Sequence, residues 1–210
     1  MAQYNISEIV TSVRKHIDEV GLNESNLVGG SDGEDMDAII TSKVTQAIDF
    51  VRSVAPFGCM ADDVVVDNEV ISGGGNAVFF EPQGNFMRFV KAECSAWQAP
   101  VRLCHNEADE EIIMAKDSYV GSTVNHPTVY EAISTNGDRQ IWLLGIPKIG
   151  GNYALFYIPK ARVTNNNVTF SERLYDAITL YMASLTLITF SETQKAAAIQ
   201  EQVKSILESL

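Results

Sequence analysis

The most constraining feature of the sequence is the stretch from Leu174 to Phe190, in which Asp176 is the only charged residue. As an α-helix it would be about 25 Å long, which is shorter than the ~30 Å hydrocarbon layer of a bilayer. Serine and threonine hydroxyls lie inside it. A membrane anchor is expected to have a flanking basic cluster, and this stretch has none. Because a helix that is apolar on nearly all sides is normally buried, the stretch predicts a central core helix.

Two amphipathic helices are predicted near the start of the chain. The first begins after Asn5, with Glu8 completing a capping box, and ends at Gly21. The second runs from about Asp35 to Val54 and ends before Pro56. Their apolar stripes are Ile6, Ile9, Val10, Val13, Ile17 and Val20 in the first, and Met36, Ile40, Val44, Ala47, Val51 and Val54 in the second.

The chain is predicted to end in a second helix pair. Thr169 with Glu172, and Ser191 with Gln194, have the spacing of capping boxes that would open these two helices. The last helix carries a narrow stripe typical of a helix–helix seam, which makes it a candidate contact with another subunit. Deleting residues 192–210 is therefore expected to leave a folded monomer that does not assemble. The candidate interface residues are Ala196, Ile199, Val203, Ile206 and Leu210, together with Trp97.

Between about Val64 and Pro159, short runs rich in β-branched and aromatic residues are interrupted by glycine, asparagine or proline. This spacing predicts an antiparallel sheet or small sandwich, and Asn136-Gly137 is a strong hairpin signal. The predicted fold class is therefore α+β. An N-terminal helical pair (1–60) and a C-terminal helical pair (166–210) would form a small bundle around a central antiparallel β domain (61–165).

Charge and cysteine content narrow the function classes. The net charge of −12 disfavours a nucleic-acid reader, because phosphate backbones attract positive surfaces. Three cysteines without a CxxC pair disfavour a disulfide framework. The opening MAQYNISEIV lacks the features of a signal peptide, so synthesis in a reducing cytoplasm is expected.

No motif predicts an enzyme, a metal site or a cofactor. The acidic GGSDGEDMD does not fit a calcium loop, and the glycines of ISGGGN lead into a strand without the lysine of a phosphate-binding loop. His16, His105 and His126 lack HxxxH spacing, so a metal site would need distant segments. Trp97 and Trp142 predict core or interface packing, with a carbohydrate- or ligand-binding β-sandwich as the alternative.

The order of several segments resembles the head-to-tail adaptor proteins of tailed bacteriophages. These segments are ISEIVTSVRKHIDE and DMDAIITSKVTQAIDFVRSVAPF, then FMRFVKAECSAWQAPVRLC, HPTVYEAIS with YALFYIPKA, and the closing YDAITLYMASLTLITFSETQKAAAIQEQVKSIL. The resemblance is in particular to ring-forming adaptors of short-tailed phages, including the crAss-like kind. NEADEEIIMAKDSYVG and the long GLNESNLVGGSDGED loop depart from the family pattern.

This resemblance implies a structural virion protein at the head–tail junction, made in the host bacterial cytoplasm. It implies a ring, commonly of twelve copies, that docks on the portal protein, extends the DNA channel and carries the next tail ring protein. DNA would pass through without specific binding, and an acidic lumen would repel it. Another virion role, such as a tail-completion or minor capsid protein, is an open alternative.

Overall fold

The computed structural model describes residues 2–19, 33–74, 77–82, 84–117, 121–147 and 151–210. The described residues form the α-helices α1 (Ile6–Glu19), α2 (Gly33–Val54), α3 (Glu110–Ala115), α4 (Tyr175–Thr189) and α5 (Thr193–Ser209). The strands are β1 (Ala2–Asn5), β2 (Val65–Asp67), β3 (Ile71–Gly74), β4 (Ala77–Phe80), β5 (Phe86–Cys94), β6 (His105–Asn106), β7 (Thr128–Ile133), β8 (Arg139–Leu144), β9 (Tyr153–Pro159) and β10 (Asn167–Phe170). The 3₁₀ segments are Phe57–Asp63 and Glu172–Leu174. The fold class is α+β, as predicted.

The chain divides into two compact units. The helical unit comprises Met1–Asp63 and Lys160–Leu210, and the β unit comprises Val64–Pro159. The helical unit is therefore built from two separate segments of the chain, whereas the β unit is one continuous segment. Among the described residues, no helix has the combination of length and hydropathy needed to cross a bilayer.

Helix α4 is the centre of the helical unit and packs against α1, α2 and α5. The hydroxyls of Thr179, Ser184 and Thr186 are buried, and each donates to a backbone carbonyl one turn earlier in the helix. The prediction of a core helix in this stretch is confirmed. The buried residues of α4 are Ala177, Ile178, Thr179, Met182, Ala183, Ser184, Thr186 and Leu187.

The two N-terminal helices bury the predicted stripes with one exception. Asn5 caps α1, since its Oδ1 accepts the backbone N–H of Ser7 at 2.9 Å. In α2 the stripe is buried from Met36 to Val51, but Val54 is 52% exposed, so its inclusion was wrong. Val54 is the last residue of α2 and lies on the rim of a surface groove described below. Val20, Gly21 and the polar loop after them lie outside the described residues.

The predictions of two C-terminal capping boxes were both wrong. Thr169 lies within β10, which pairs antiparallel with β1, so that Thr169 is opposite Gln3 and is extended rather than at a helix start. Ser191 has a positive φ of 64°, and α5 starts two residues later at Thr193. In both places the α-helix begins later than the capping box predicts, at Tyr175 for α4 and at Thr193 for α5.

The β unit has two sheets with a shared apolar core. One sheet has the strand order β2-β9-β5, and the other has the order β3-β4-β8-β7-β6. The neighbouring strands are antiparallel except β6 and β7, which are parallel and so depart from the prediction. The core between the sheets includes Val78, Phe80, Phe86, Ala92, Cys94, Trp97, Val129, Ile141, Leu143, Leu155 and Tyr157.

Side-chain alternation along β8 explains why the larger sheet is covered on both faces. Ile141 and Leu143 belong to the core between the sheets, whereas Leu144 packs in a second cluster with Tyr130 and with Ile112 of α3. Helix α3 therefore covers the other face of this sheet. Neither α3 nor the pair of β1 and β10 was predicted from the sequence.

Two local predictions in the β unit have opposite outcomes. The hairpin at Asn136-Gly137 is confirmed, since Gly137 has φ 88° and its N–H donates to Ser134 O at 2.9 Å between β7 and β8. The expected strand in APVRLC was wrong, because Val101 forms only an isolated bridge with Ala92. The glycine turn expected at Gly150 lies outside the described residues.

Candidate functional site

An apolar groove lies on the surface of the helical unit, between α2, α4 and α5. Its volume is about 580 Å³. All three helices contribute apolar side chains to it, which makes it suited to holding an apolar partner segment. The lining residues are Phe50, Val54, Pro56, Tyr181, Gln200, Val203, Lys204, Leu207 and Glu208.

The groove wall is built on a stacked aromatic pair. The rings of Phe50 from α2 and Tyr181 from α4 lie nearly parallel, with centroids 4.1 Å apart and an interplanar angle of 9°. Burial raises the pKa of the Tyr181 hydroxyl, so it stays protonated well above neutral pH. Phe50 is nevertheless 41% exposed, and Val54 one turn further along α2 is 52% exposed. The pair presents an uncovered apolar surface.

The charged groups of the groove are at its rim. Lys204 and Glu208 are one turn apart on α5, and their charged atoms are 4.0 Å apart. Their side chains are 66% and 70% exposed, so this pair contributes little to stability. Isolated exposed apolar residues are normal on proteins, but a contiguous apolar groove with a polar rim marks a binding surface. The groove is therefore the best candidate interaction site in the helical unit.

The candidate interface residues of α5 do not face outward as a set. Ala196, Ile199 and Val203 are at most 3% exposed and belong to the core of the helical unit, where α5 packs on α4. Their assignment to a contact with another subunit is corrected, because their own chain already covers them. Ile206 is half-buried, and Leu210 is 44% exposed at the end of the chain.

The groove residues Phe50 and Tyr181 were missed by the sequence analysis. Phe50 is off the buried stripe of α2, and a large aromatic residue on the polar side of an amphipathic helix was the available signal. Tyr181 lies within the apolar run of α4, where burial could not be distinguished from exposure. Val54 was identified, but as part of the core.

The two tryptophans are used for packing. Trp97 is 8% exposed, and its Nε1 donates to Gly145 O at 2.9 Å. Trp142 stacks on Phe79 with centroids 4.7 Å apart, and its Nε1 donates to Gln140 Oε1 at 3.0 Å. Trp97 is therefore corrected as an interface candidate, and neither ring is an open platform for a ligand.

A cleft of about 450 Å³ in the β unit passes close to Trp97. It is lined by the turn after β5 and by the start of β9, including Glu93, Asn152 and Tyr153. Burial raises the pKa of the Tyr153 hydroxyl, with the nearby Cys94 acting in the same direction. Trp97 also lines the cleft, but it is only 8% exposed and so offers little ring face on which a sugar could stack.

One cluster in the described part of the β unit has the donor atoms of a metal site. His105 Nδ1 lies 3.0 Å from Glu111 Oε2 and 3.6 Å from Asp109 Oδ2, and one donor atom of each residue lies within 4.8 Å of the others. The cluster was not predicted, because it contains one histidine and so lacks the paired-histidine spacing of common metal motifs. The available signal was the spacing HxxxDxE, which places one imidazole and two carboxylates at a strand-to-helix connection.

Comparison with known proteins gives no family assignment. No protein-family model matches the chain, and no curated protein is significantly similar to it. The resemblance to head-to-tail adaptor proteins therefore stays a prediction from the order of the sequence segments.

Proposed function

We propose that the chain is a structural virion protein that forms a ring in the head-to-tail connector of a tailed bacteriophage. In this proposal the ring docks on the portal protein, extends the DNA channel and carries the next tail protein. The bundle of N- and C-terminal helix pairs around the β domain, expected from the sequence, belongs to the same proposal. The observation that supports it most is the uncovered apolar groove between α2, α4 and α5.

A ring contact needs two different faces on each subunit, because one head-to-tail contact is repeated until the rotation closes. The groove supplies one apolar face, which includes Phe50 and Val54. The β unit offers other uncovered apolar side chains, each 59–66% exposed, that are available to a neighbouring copy. These are Leu103, Ile113, Met114 and Ile133.

The groove is assigned to a neighbouring copy rather than to a small ligand. Its walls are helices of an already packed bundle, its ionisable rim pair is exposed, and its centre is aromatic and aliphatic. Protein interfaces have this pattern of an apolar, aromatic centre with a polar rim. Covering Phe50 and Val54 would remove apolar surface from water, which favours assembly.

The charge of the chain is compatible with a DNA channel. At −12 per copy, a closed ring whose acidic residues face the axis would have a negatively charged lumen. Such a lumen repels phosphate backbones and lets DNA slide, whereas a basic lumen would hold it.

The test is the mass of the untagged protein in solution, measured across concentrations by light scattering, alone and with a portal protein of the same phage. A discrete ring mass, commonly of twelve subunits, or a stable complex with the portal is the expected result. A protein that stays monomeric at high concentration and does not bind the portal protein would overturn the proposal. Val54→Asp, at the groove rim, is expected to prevent assembly, while Val163→Asp, at a 42% exposed position, is the matched control.

The other virion roles predict a different result in the same experiment. A tail-completion or minor capsid protein would assemble without binding the portal ring. Cryo-electron microscopy of the virion would then place the density away from the head–tail junction. A ligand-binding role receives little support from the buried and hydrogen-bonded Trp97.

A further inference from the structure

We propose that His105, Asp109 and Glu111 form a binding site for one divalent transition-metal ion of the zinc type. The site lies where β6 connects to α3, in the β unit, and is independent of the helical groove. His105 contributes Nδ1, and each carboxylate contributes one oxygen, with the three donor atoms within 4.8 Å of one another.

The spacing of the donor atoms fits a tetrahedral ion. Zinc binds imidazole nitrogen and carboxylate oxygen at roughly 2.0–2.2 Å, which places neighbouring ligand atoms about 3.3–3.5 Å apart. The distances from His105 Nδ1 to Glu111 Oε2 and Asp109 Oδ2, 3.0 and 3.6 Å, lie on either side of this value. The carboxylate donor atoms of Asp109 and Glu111 lie within 4.8 Å of each other, so an ion would draw them closer together.

A single proton on His105 can bridge to only one of the two carboxylates, whereas a metal ion can bind both. Nδ1 of His105 can carry a single hydrogen, which can be donated to Glu111 at 3.0 Å, while Asp109 at 3.6 Å is beyond hydrogen-bond distance. A dication at the centre would neutralise both carboxylates at once. The imidazole nitrogen in the donor set favours zinc and similar ions over calcium, magnesium and manganese, which prefer oxygen ligands.

The backbone holds two of the three ligands in place. His105 lies in β6 and pairs with Tyr130 of β7, and its side chain is 19% exposed. Asp109 Oδ2 also accepts the backbone N–H of Asn106 at 2.9 Å, which helps to hold this oxygen in place. Glu111 is 73% exposed, so an ion can reach the site and Glu111 can close over it.

Lys116, which directly follows α3, is paired with a different carboxylate. Lys116 Nζ lies 2.9 Å from Glu107 Oε1 and sits over the Tyr130 ring, 4.5 Å from its centroid. Its hydrogen bond to Glu107 contributes to a raised pKa, although burial, the largest influence, acts in the opposite direction. This ammonium therefore neutralises Glu107 rather than the two carboxylates that face His105.

A bound ion would fix α3 to β6. Residues Ile113 and Met114, which lie on α3 and are 66% and 61% exposed, would then be held in one orientation. Because the ion binds the folded arrangement and not the unfolded chain, it would also raise the stability of the β unit. Three protein ligands leave a fourth position for water or for a donor from another molecule.

The experiment titrates untagged, metal-free protein with Zn²⁺ by calorimetry and with Co²⁺ by visible absorption. We expect one ion per chain, a tetrahedral Co²⁺ spectrum without a thiolate charge-transfer band, and a rise in melting temperature with Zn²⁺. Glu111→Gln and Asp109→Asn should each weaken binding at least tenfold, in line with the sensitivity of metal sites to their ligand shells. Glu111 is 73% exposed, so its variant should remain folded, which circular dichroism verifies.

The matched controls are Glu110→Gln, an exposed carboxylate beside Glu111, and His126→Gln, an exposed histidine of the same unit. Both should bind Zn²⁺ as the unaltered chain does. The proposal is overturned by an absence of saturable binding, by a Glu111→Gln variant with unchanged affinity, or by a thiolate band that assigns the ion to Cys104.

Discussion

Arg52 and Asp63 form an ion pair that is almost completely sealed from solvent. Arg52 Nε donates to Asp63 Oδ2 at 3.1 Å, and the two side chains are 2% and 0% exposed. Nη2 of Arg52 also donates to Thr169 O at 2.8 Å, so one guanidinium connects α2, the 3₁₀ segment Phe57–Asp63 and β10. Asp63 Oδ1 has no hydrogen-bond partner among the described residues. A buried pair of this kind adds little net stability because both ions lose their hydration, but the loss of one partner is costly.

Removal of the guanidinium should be costly. Arg52→Met leaves the Asp63 charge buried without its partner, and the free energy of unfolding is expected to fall by about 3–5 kcal/mol. Urea denaturation measures this change. Replacing both residues, as Arg52→Met with Asp63→Leu, should recover part of the loss, and a double variant no more stable than Arg52→Met would show that the unpaired carboxylate is not the cause.

The control for this experiment is a similar pair on the surface. Arg14 Nε lies 2.7 Å from Asp37 Oδ1, but the two side chains are 27% and 49% exposed. Arg14→Met is therefore expected to cost only about 0–1 kcal/mol. Equal losses at both positions would mean that burial does not determine the effect.

Helix α5 should be essential for folding. Ile199 is 1% exposed where α5 packs on α4, so Ile199→Ala is expected to lower the free energy of unfolding by about 2–5 kcal/mol. Leu210→Ala, at a 44% exposed position, should change it by no more than about 0.5 kcal/mol. Deleting residues 192–210 exposes the core face of α4 and should unfold the helical unit, contrary to the expectation from the sequence. A truncated protein with a cooperative unfolding transition would contradict this prediction.

The helices could be predicted from the sequence because each carries its own periodic signal. The apolar run of α4 could be recognised as core, since only a helix covered on most sides can be so poor in charge. The narrow stripe of α5 was also correctly located, but it was assigned to another subunit. Periodicity identifies the face of a helix that is covered, and it contains no information on whether the cover is the same chain.

The strand pairings and the sites depended on contacts between distant residues. Thr169 has the sequence context of a helix cap, yet its pairing opposite Gln3 makes it part of a strand. His105 is brought to Asp109 and Glu111 by the turn between β6 and α3. Phe50 and Tyr181 are 131 positions apart and meet only because α2 packs on α4. Local propensity cannot predict such relationships.

Val54 should affect assembly without affecting the fold. Because it is 52% exposed, Val54→Asp is expected to change the free energy of unfolding by no more than about 0.5 kcal/mol. A charge at this position opposes the covering of the groove, so sedimentation velocity should detect the loss of the assembled species. Val163→Asp should retain assembly. If Val54→Asp assembles as well as the unaltered chain, the groove is not the contact.

Cys104 should make the protein less stable at alkaline pH. Burial, assisted by the negative charge of Glu131 and opposed by Arg139, raises the pKa of the Cys104 thiol from 9.0 to about 12. Between these values the unfolded chain has lost the thiol proton while the folded chain retains it, so the stabilisation present below pH 9 is lost progressively up to about pH 12. Urea denaturation at several pH values should give a shallower decline for Cys104→Ala than for the unaltered chain. Burial also raises the pKa values of tyrosines such as Tyr157, but these contribute equally to both proteins. If the free energies of unfolding of the two proteins fall in parallel with pH, the thiol ionises normally in the folded state.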